Sequence, residues 1–246
     1  WTMLTWMAAR YPGPMLGTVV MCNSFRNPSL LAKMSASLQE MSMGRLILGY
    51  GAGWYEDEYR SYGFDYPSAG VRVDMFEEGV QIIKKMWVDS PANFRGKYYQ
   101  INNVYCEPRP DPQPVLMLGG GGERKTLRVV AQYADWWNDV MRPIPDLSRK
   151  LEILKQHCEA VGRDYNNIRK TLAPRFFIDK NHRKAISMAE GKNDAGQVIA
   201  GDPAAVCDQL HELAEMGFDM VVTTFPKFQE LDDMKLFVED VIPQFS

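Results

Sequence analysis

The sequence predicts a (β/α)8, or TIM, barrel, and three observations support that prediction. Strand-like and helix-like segments alternate six times along the 246 residues, which is typical of a parallel sheet covered by helices. Two strand-like segments end in glycines, at 49–53 and 119–122, and barrels carry their functional sites at the carboxyl ends of strands. A Rossmann sheet would require Gly-x-Gly-x-x-Gly with an acidic residue about 20 positions on, and residues 49–53 do not supply that glycine spacing. We therefore expect one barrel domain over residues 1–246.

The predicted strands are short apolar runs bordered by glycine or proline. Residues 45–50 are the clearest example, because the run is too short for a helix and reads as a strand buried on both faces. The other strands are predicted at 15–21, 115–118, 135–138, 168–178 and 220–224. Pro174 should bend or end the 168–178 strand. Residues 94–99 look like a small inserted hairpin.

Amphipathic helix patterns separate these strands. A first helix is predicted at 1–10, and Asn27 and Pro28 supply a cap and a first-turn proline for the second. Residues 179–196 are polar, and we expect a mobile excursion there. Inner-face residues recur at helical spacing in the other segments: Leu31, Met34, Leu38 and Met41; Phe76, Val80, Ile83 and Trp87; Leu127, Val130, Ala131 and Ala134; Leu147, Leu151, Leu154, Cys158 and Val161; Val206, Leu210 and Leu213; Leu231, Met234, Val238 and Val241.

Composition narrows the function classes. A net charge of −3 and a pI near 5.7 argue against nucleic acid or an anionic membrane as the main partner, so we expect a small-molecule substrate. No apolar run approaches the roughly 20 residues that span a bilayer. The cysteines and histidines show neither disulfide nor metal-ligand spacing, so we expect no metal and a cytoplasmic location. A homodimer is the assembly to test.

Two glycine-rich turns are the candidate binding elements. Gly51 and Gly53 let the backbone approach a ligand closely, and Trp54 and Tyr55 follow as an aromatic wall. A tight packing turn explains this segment equally well. The second turn, Gly119–Gly122, opens a helix, and successive backbone N–H groups at a helix start bind phosphate. Because a plain turn would not need four consecutive glycines, phosphate binding is favoured there.

An ordered set of motifs resembles the bacterial luciferase-like flavin and deazaflavin oxidoreductases. Each motif is weak alone, but the set is specific, and it covers most of the chain up to about Asn138. The similar segments are Gly17–Pro28, Gly44–Tyr59, Pro114–Arg124 and Ala134–Asn138, and the 201–203 and 241–243 segments also look like the family.

The resemblance implies a barrel with a flavin or deazaflavin ring across its mouth. The strand at Thr18, Val19 and Val20 would back the ring, often with a non-prolyl cis peptide. Gly51, Ala52, Gly53, Trp54 and Tyr55 would line the ring edge. Gly119, Gly120, Gly121 and Gly122 would hold the phosphate, with Arg124 or Lys125 as counter-charges to offset Glu123.

The activity implied by the resemblance is hydride transfer by the reduced deazaflavin coenzyme F420 to or from a small organic substrate. An FMN-dependent monooxygenase using O2 is the alternative within the family. A non-redox sugar-phosphate barrel and a catalytically silent flavin-binding protein are rivals of another class. The substrate and the general acid and base are not readable from the sequence.

The first two βα units of the family have no counterpart in the chain, which opens on Trp1. Six strands cannot close an eight-stranded barrel, and an open parallel edge is a liability. We therefore expect the native polypeptide to extend upstream by two βα units.

Overall fold

The computed structural model describes residues 1–191, 198–225 and 231–245. Its strands are β1 (Leu16–Gly17), β2 (Met21–Cys22), β3 (Leu46–Gly51), β4 (Ala92–Arg95), β5 (Gln100–Val104), β6 (Val115–Gly119), β7 (Trp136–Val140), β8 (Arg169–Ala173), β9 (Arg175–Ile178), β10 (Val198–Gly201) and β11 (Met220–Val221). Its α-helices are α1 (Thr2–Arg10), α2 (Pro28–Met41), α3 (Glu56–Ser61), α4 (Ala69–Val88), α5 (Thr126–Tyr133), α6 (Ile144–Val161), α7 (His182–Ala189), α8 (Pro203–Glu215) and α9 (Asp232–Leu236). A π-helical turn (Phe237–Val241) and a 3-10 turn (Ile242–Phe245) follow α9.

The main sheet is parallel and follows the chain order β1-β3-β6-β7-β8-β11, with β2 also paired to β3. Helices connect its successive strands, so the sheet is a curled, partial (β/α)8 barrel. The fold prediction is thereby confirmed. Because all strands run the same way, their carboxyl ends lie together at one edge of the sheet.

Helix α2 shows how local sequence sets the elements. Asn27 accepts a hydrogen bond from the N–H of Ser29 at 2.9 Å, and Pro28 occupies the first turn. Leu31 and Leu38 are buried against the sheet. Gly44, with a φ of 82°, ends the turn that follows the helix and begins the approach to β3.

The core lies between the sheet and its helices. Among its largest fully buried side chains are Trp87 and Phe76 of α4, Trp137 of β7 and Tyr50 of β3. The Tyr50 and Phe76 rings pack in a tilted arrangement with their centroids 5.6 Å apart. The core therefore joins the first glycine-ended strand to the long helix that follows it.

The predicted hairpin is present as β4 and β5, and Glu78 on α4 fixes its turn. The Glu78 carboxylate accepts hydrogen bonds from three consecutive backbone N–H groups, at Lys97 (2.7 Å), Tyr98 (2.9 Å) and Tyr99 (3.0 Å). Three charge-assisted bonds to one carboxylate anchor the hairpin to the barrel wall.

The structure corrects several predicted elements. The 15–21 strand is two short strands, with the cis peptide Val19–Val20 between them, as the resemblance implied. The excursion at 179–196 contains helix α7, whose inner face offers only Ala185 and Ala189 and was too weak a pattern to detect; residues 192–196 lie outside the described residues. Strand β10, which pairs with β9, and the acidic helix α3 were not predicted.

Candidate functional site

A cavity of about 420 Å³ opens at the carboxyl edge of the sheet. Five strands, β2, β3, β6, β7 and β8, each contribute their last residue to its wall: Cys22, Gly51, Gly119, Val140 and Ala173. This placement is the one expected for a barrel site.

The first glycine turn, Gly49–Gly53, is packed against the rest of the protein. A β-carbon at Gly49 would overlap the backbone oxygen of Thr18. A β-carbon at Gly51 would lie 2.8 Å from Val20 Cγ2. Gly53 has a φ of 78°, and a β-carbon there would collide with the Tyr59 hydroxyl. These glycines are required because other parts of the chain fill the space that side chains would occupy.

Val20 links the two glycine turns. Its Cγ2 would lie 2.8 Å from a β-carbon at Gly51 and 2.7 Å from one at Gly119. Val20 is therefore seated over both strand ends. Together with Val19, which is 47% exposed, it forms an apolar wall of the cavity.

The second turn, Gly119–Gly122, is called the glycine loop below, and three of its carbonyl groups accept hydrogen bonds from the protein. Trp137 Nε1 donates to Gly120 O at 3.0 Å, the ammonium of Lys150 donates to Gly121 O, and Leu127 N–H donates to Gly122 O at 3.0 Å. His157 Nε2 lies 2.7 Å from Glu123 O, so this nitrogen carries the proton.

The N–H groups in and directly after the glycine loop point the opposite way from these bound carbonyl groups. In a planar trans peptide the N–H points opposite to the carbonyl of the preceding residue. The N–H groups of Gly121, Gly122 and Glu123 therefore point away from the donors that hold the carbonyls. Within the described part of the chain, these three N–H groups have no hydrogen-bond acceptor. Free backbone donors of this kind are the groups that bind anions in other proteins.

The cations around the glycine loop differ from the expected ones. Lys125 forms an ion pair with Asp74 on α4, and Arg124 is exposed. Lys150, on α6, is instead the buried cation at the loop, with 6% of its surface exposed. Its ammonium lies 3.8 Å from Glu123 Oε1, an oxygen that Arg149 also contacts at 3.1 Å.

Tyr59 joins two walls of the cavity. Its hydroxyl contacts Cys22 Sγ at 3.0 Å, donates to Ser24 Oγ at 2.9 Å and reaches Ala52 O at 3.4 Å. Burial, followed by the hydrogen bond with Cys22, raises the pKa of Tyr59 above its usual value. The hydroxyl is therefore protonated at neutral pH and ties the end of β2 to the end of β3.

Two charged residues line the cavity with partners of their own. Arg72 Nε donates to Gly53 O at 3.1 Å, and its guanidinium stacks 4.0 Å from the ring centre of Tyr66. Asp139, with 3% of its surface exposed, accepts a hydrogen bond from Arg142 Nε at 3.1 Å. These pairings fix the positions of both side chains in the wall.

The structure brings most of the predicted site residues to the cavity, which is lined by Val19, Val20, Gly51, Ala52, Gly53, Trp54, Tyr55, Gly119 and Gly120. Thr18 lies behind the wall, where its hydroxyl donates to Gly49 O at 3.0 Å. Gly121 and Gly122 belong to the rim beside the cavity rather than to its lining. Trp54 is 79% exposed, which rules out the alternative of a fully buried core residue.

Several lining residues were not predicted, among them Thr126, Asn138 and Asp139. Asn138 donates from Nδ2 to Thr171 Oγ1 at 2.8 Å, which fixes its position between neighbouring strands. A signal was available for Asn138 and Asp139, because they lie at and directly after the end of the predicted 135–138 strand, on the edge where barrel sites form. Arg72 and Thr126 come from helix starts that no motif marked.

Two further findings concern the whole described chain. None of its helices has the length and apolar character needed to cross a bilayer. The described residues contain no cluster of three or more His, Cys, Asp or Glu side chains that could hold a metal ion.

Comparison with known proteins gives consistent similarities. A family model described as "Luciferase-like monooxygenase" matches residues 1–196. An F420-dependent glucose-6-phosphate dehydrogenase of Amycolatopsis mediterranei (strain U-32) is 25% identical over 284 residues, covering 98% of this chain and 83% of that protein.

Two solved structures share the fold. The coenzyme F420 dependent tetrahydromethanopterin reductase from Methanopyrus kandleri gives a TM-score of 0.84 at 21% identity, covering 100% of this chain and 87% of that one. The EDTA monooxygenase EmoA from Chelativorans sp. BNC1 gives a TM-score of 0.81 at 18% identity, covering 98% and 76%.

Proposed function

Because the chain belongs to the luciferase-like monooxygenase family, we propose that it is an oxidoreductase that uses coenzyme F420 for hydride transfer to or from a small organic substrate. The relative from Amycolatopsis mediterranei is named as F420-dependent, and so is the reductase with the same fold. These similarities favour redox chemistry over the non-redox sugar-phosphate barrel.

The glycine loop is the observation that carries the cofactor assignment. Its carbonyls are bound by protein donors, while the N–H groups of Gly121, Gly122 and Glu123 are free within the described chain. A phosphate group supplies the acceptors that these N–H groups lack, and it would sit at the start of α5, where the helix dipole is favourable. The residues present therefore fit a phosphorylated cofactor.

The apolar wall fits a flat ring beside that phosphate site. Val19 and Val20 cover the ends of β3 and β6, and Trp54 and Tyr55 stand at the rim with ring centroids 5.3 Å apart. When bound, the deazaflavin would supply the hydride. The chain's own residues would position it, exclude water from one face and hold the phosphate.

We assign no general acid or base. The Tyr59 hydroxyl is occupied with Ser24 and Ala52 O, and its raised pKa makes it a poor base. In this proposal Tyr59 maintains the cavity wall rather than exchanging a proton with the substrate.

An FMN-dependent monooxygenase remains the second candidate. The same N–H groups would donate hydrogen bonds to the phosphate of FMN, and the fold is shared with the EDTA monooxygenase. A single barrel domain over residues 1–246, a cytoplasmic location and a homodimer also remain proposals.

The test measures equilibrium binding of F420 and of FMN to the purified protein by fluorescence or calorimetry. We expect F420 to bind at least tenfold more tightly than FMN. Tight binding of FMN without F420 would support the monooxygenase instead. Failure to bind either cofactor would refute the assignment of the cavity to both.

A further inference from the structure

Lys150 is a buried lysine that lies against the glycine loop. It lies on α6, among the buried residues Leu147, Leu151 and Leu154 that attach this helix to the barrel. Its ammonium donates to the carbonyl oxygen of Gly121 and sits 2.9 Å from the position of a β-carbon at that glycine. A lysine is rarely buried unless it is paired, so its place under the glycine loop calls for a reason.

The hydrogen bond from Lys150 sets the direction of one peptide group. Because Gly121 O points at α6, the N–H of Gly122 in the same peptide points away from α6. Glycines on both sides would otherwise leave this peptide free to rotate. Lys150 therefore holds a free N–H donor in the orientation that an anion requires.

The charge of Lys150 is only partly compensated by the carboxylates near the loop. The carboxylates nearby each have another cation, since Glu123 contacts Arg149 at 3.1 Å and Asp139 contacts Arg142 at 3.1 Å. Lys150 reaches Glu123 only at 3.8 Å, and its direct partner is an uncharged carbonyl. A buried, incompletely paired cation attracts an anion bound nearby, because the surrounding protein screens it less than water does.

We infer that Lys150 is a positioning residue for the phosphate of the cofactor, acting through the Gly121–Gly122 peptide and through its buried charge. The inference rests on the proposed function. It goes beyond it by assigning phosphate recognition to a residue of α6 that lies outside the cavity lining. A ligand without phosphate gains nothing from either effect.

The test compares ligands that differ only in phosphate. Lys150→Met keeps the length and apolar stem of the side chain and removes its charge and its donors. Lys155→Met is the matched control, because Lys155 is an exposed residue of the same helix. Each protein is titrated with FMN and riboflavin, and with F420 and its phosphate-free deazaflavin riboside, while the melting temperature is recorded.

We expect Lys150→Met to weaken binding of F420 and FMN at least tenfold and binding of the phosphate-free ligands less than twofold. Lys155→Met should change none of them. Equal losses for phosphorylated and phosphate-free ligands would overturn the inference and leave Lys150 a structural residue. Unchanged binding of all ligands would overturn it as well.

A second variant covers the case in which Lys150→Met does not fold. Lys150→Gln retains an uncharged donor for Gly121 O, and the same comparison of ligands decides the outcome. If the parent protein binds neither F420 nor FMN, the proposed function fails. If the parent binds them and the variant loses phosphorylated and phosphate-free ligands equally, the proposed function stands and only the role of Lys150 fails.

Discussion

The two glycine turns look alike in sequence and serve different purposes. In the first, at Gly49–Gly53, the space above the glycines is filled by the protein itself, by Thr18 O, Val20 and Tyr59. In the second, the glycine loop, protein donors bind the carbonyls of Gly120, Gly121 and Gly122, while the N–H groups of Gly121, Gly122 and Glu123 have no acceptor within the described chain. Glycine in a sequence therefore signals close approach, but only the neighbours show whether protein or ligand makes that approach.

The largest effect we expect is from Gly49→Ala in the first turn. The added methyl group would overlap a backbone oxygen of Thr18, which cannot move without breaking the pairing of β1 and β2 with β3. The cost should lie at or above the roughly 1–3 kcal/mol typical of overpacking. Urea denaturation or the yield of folded protein measures it.

Gly70→Ala is the control, because no other group lies within 4 Å of the added carbon. Its effect should stay within about 0.5 kcal/mol. Equal stability of the two variants would mean that the first turn is not a packing turn, which would remove the contrast between the two regions.

The second prediction concerns Gly121→Asp in the glycine loop. A carboxylate in the N–H row would repel a phosphate, and binding of F420 or FMN should fall roughly a hundredfold, about 2.7 kcal/mol. The substitution should also affect folding, since a β-carbon at Gly121 would meet Asp139 and Lys150. We therefore expect a lower melting temperature as well.

Gly121→Ala separates the two effects by adding the β-carbon without the charge. Calorimetry with FMN and with riboflavin should show a larger FMN-specific loss in the Asp variant than in the Ala variant, because the β-carbon in both displaces Lys150 and only aspartate adds a negative charge. A folded Asp variant that binds FMN within twofold of the parent would show that the glycine loop, like the first turn, is only a packing element.

The third prediction tests the rim beside the first turn. Trp54 is 79% exposed, so Trp54→Ala should change the free energy of unfolding by no more than about 0.5 kcal/mol. If its ring contacts the cofactor, affinity should fall about tenfold, or ~1.4 kcal/mol. Paired melting and binding measurements decide it, and a large loss of stability with unchanged affinity would argue against a binding role.

The smallest effect is expected from Tyr59→Phe, which keeps the ring against Phe25 and removes the hydroxyl. Loss of its hydrogen bonds should cost about 1 kcal/mol near neutral pH. Since the folded pKa of Tyr59 is raised, the unfolded chain loses this proton first as the pH rises. Parent stability should therefore fall from about pH 10 upward.

Above about pH 10 the unfolding free energy of the phenylalanine variant should fall less steeply than that of the parent, because the variant lacks the Tyr59 hydroxyl. Some fall should persist, because other buried tyrosines such as Tyr50 still contribute. Urea midpoints across that range give the comparison. Identical slopes in parent and variant would mean that Tyr59 does not hold the two strand ends together.

The sequence could predict the barrel because the signal for each strand is local. The runs at 45–50 and 115–118 are apolar, short and followed by glycine, and they became β3 and β6. Helix α7 could not be predicted in the same way, since it buries only two alanines. Its position is set by contacts with β9 and β10 that no local pattern records.

The candidate site was predictable to the extent that it follows strand ends. Gly51 and Gly119 were found because glycine marks the end of a strand. Lys150 was not found, because on a helical stripe of leucines it reads as a surface residue of α6. Its role depends on how α6 packs against a loop 29 positions away, which is information held in three dimensions alone.

The parallel sheet also has a consequence for the order of folding. Strand β3 pairs with β6 in a register that joins Ile47 to Val115, whereas the β4–β5 hairpin joins Arg95 to Gln100. Closing the short loop takes microseconds, while pairing distant segments is slow because chain entropy must be lost before contacts form. The hairpin can therefore form early within a chain whose barrel assembles last. Because backbone N–H groups of its turn donate to Glu78, the hairpin would pack against α4 as a preformed unit before β6 pairs with β3.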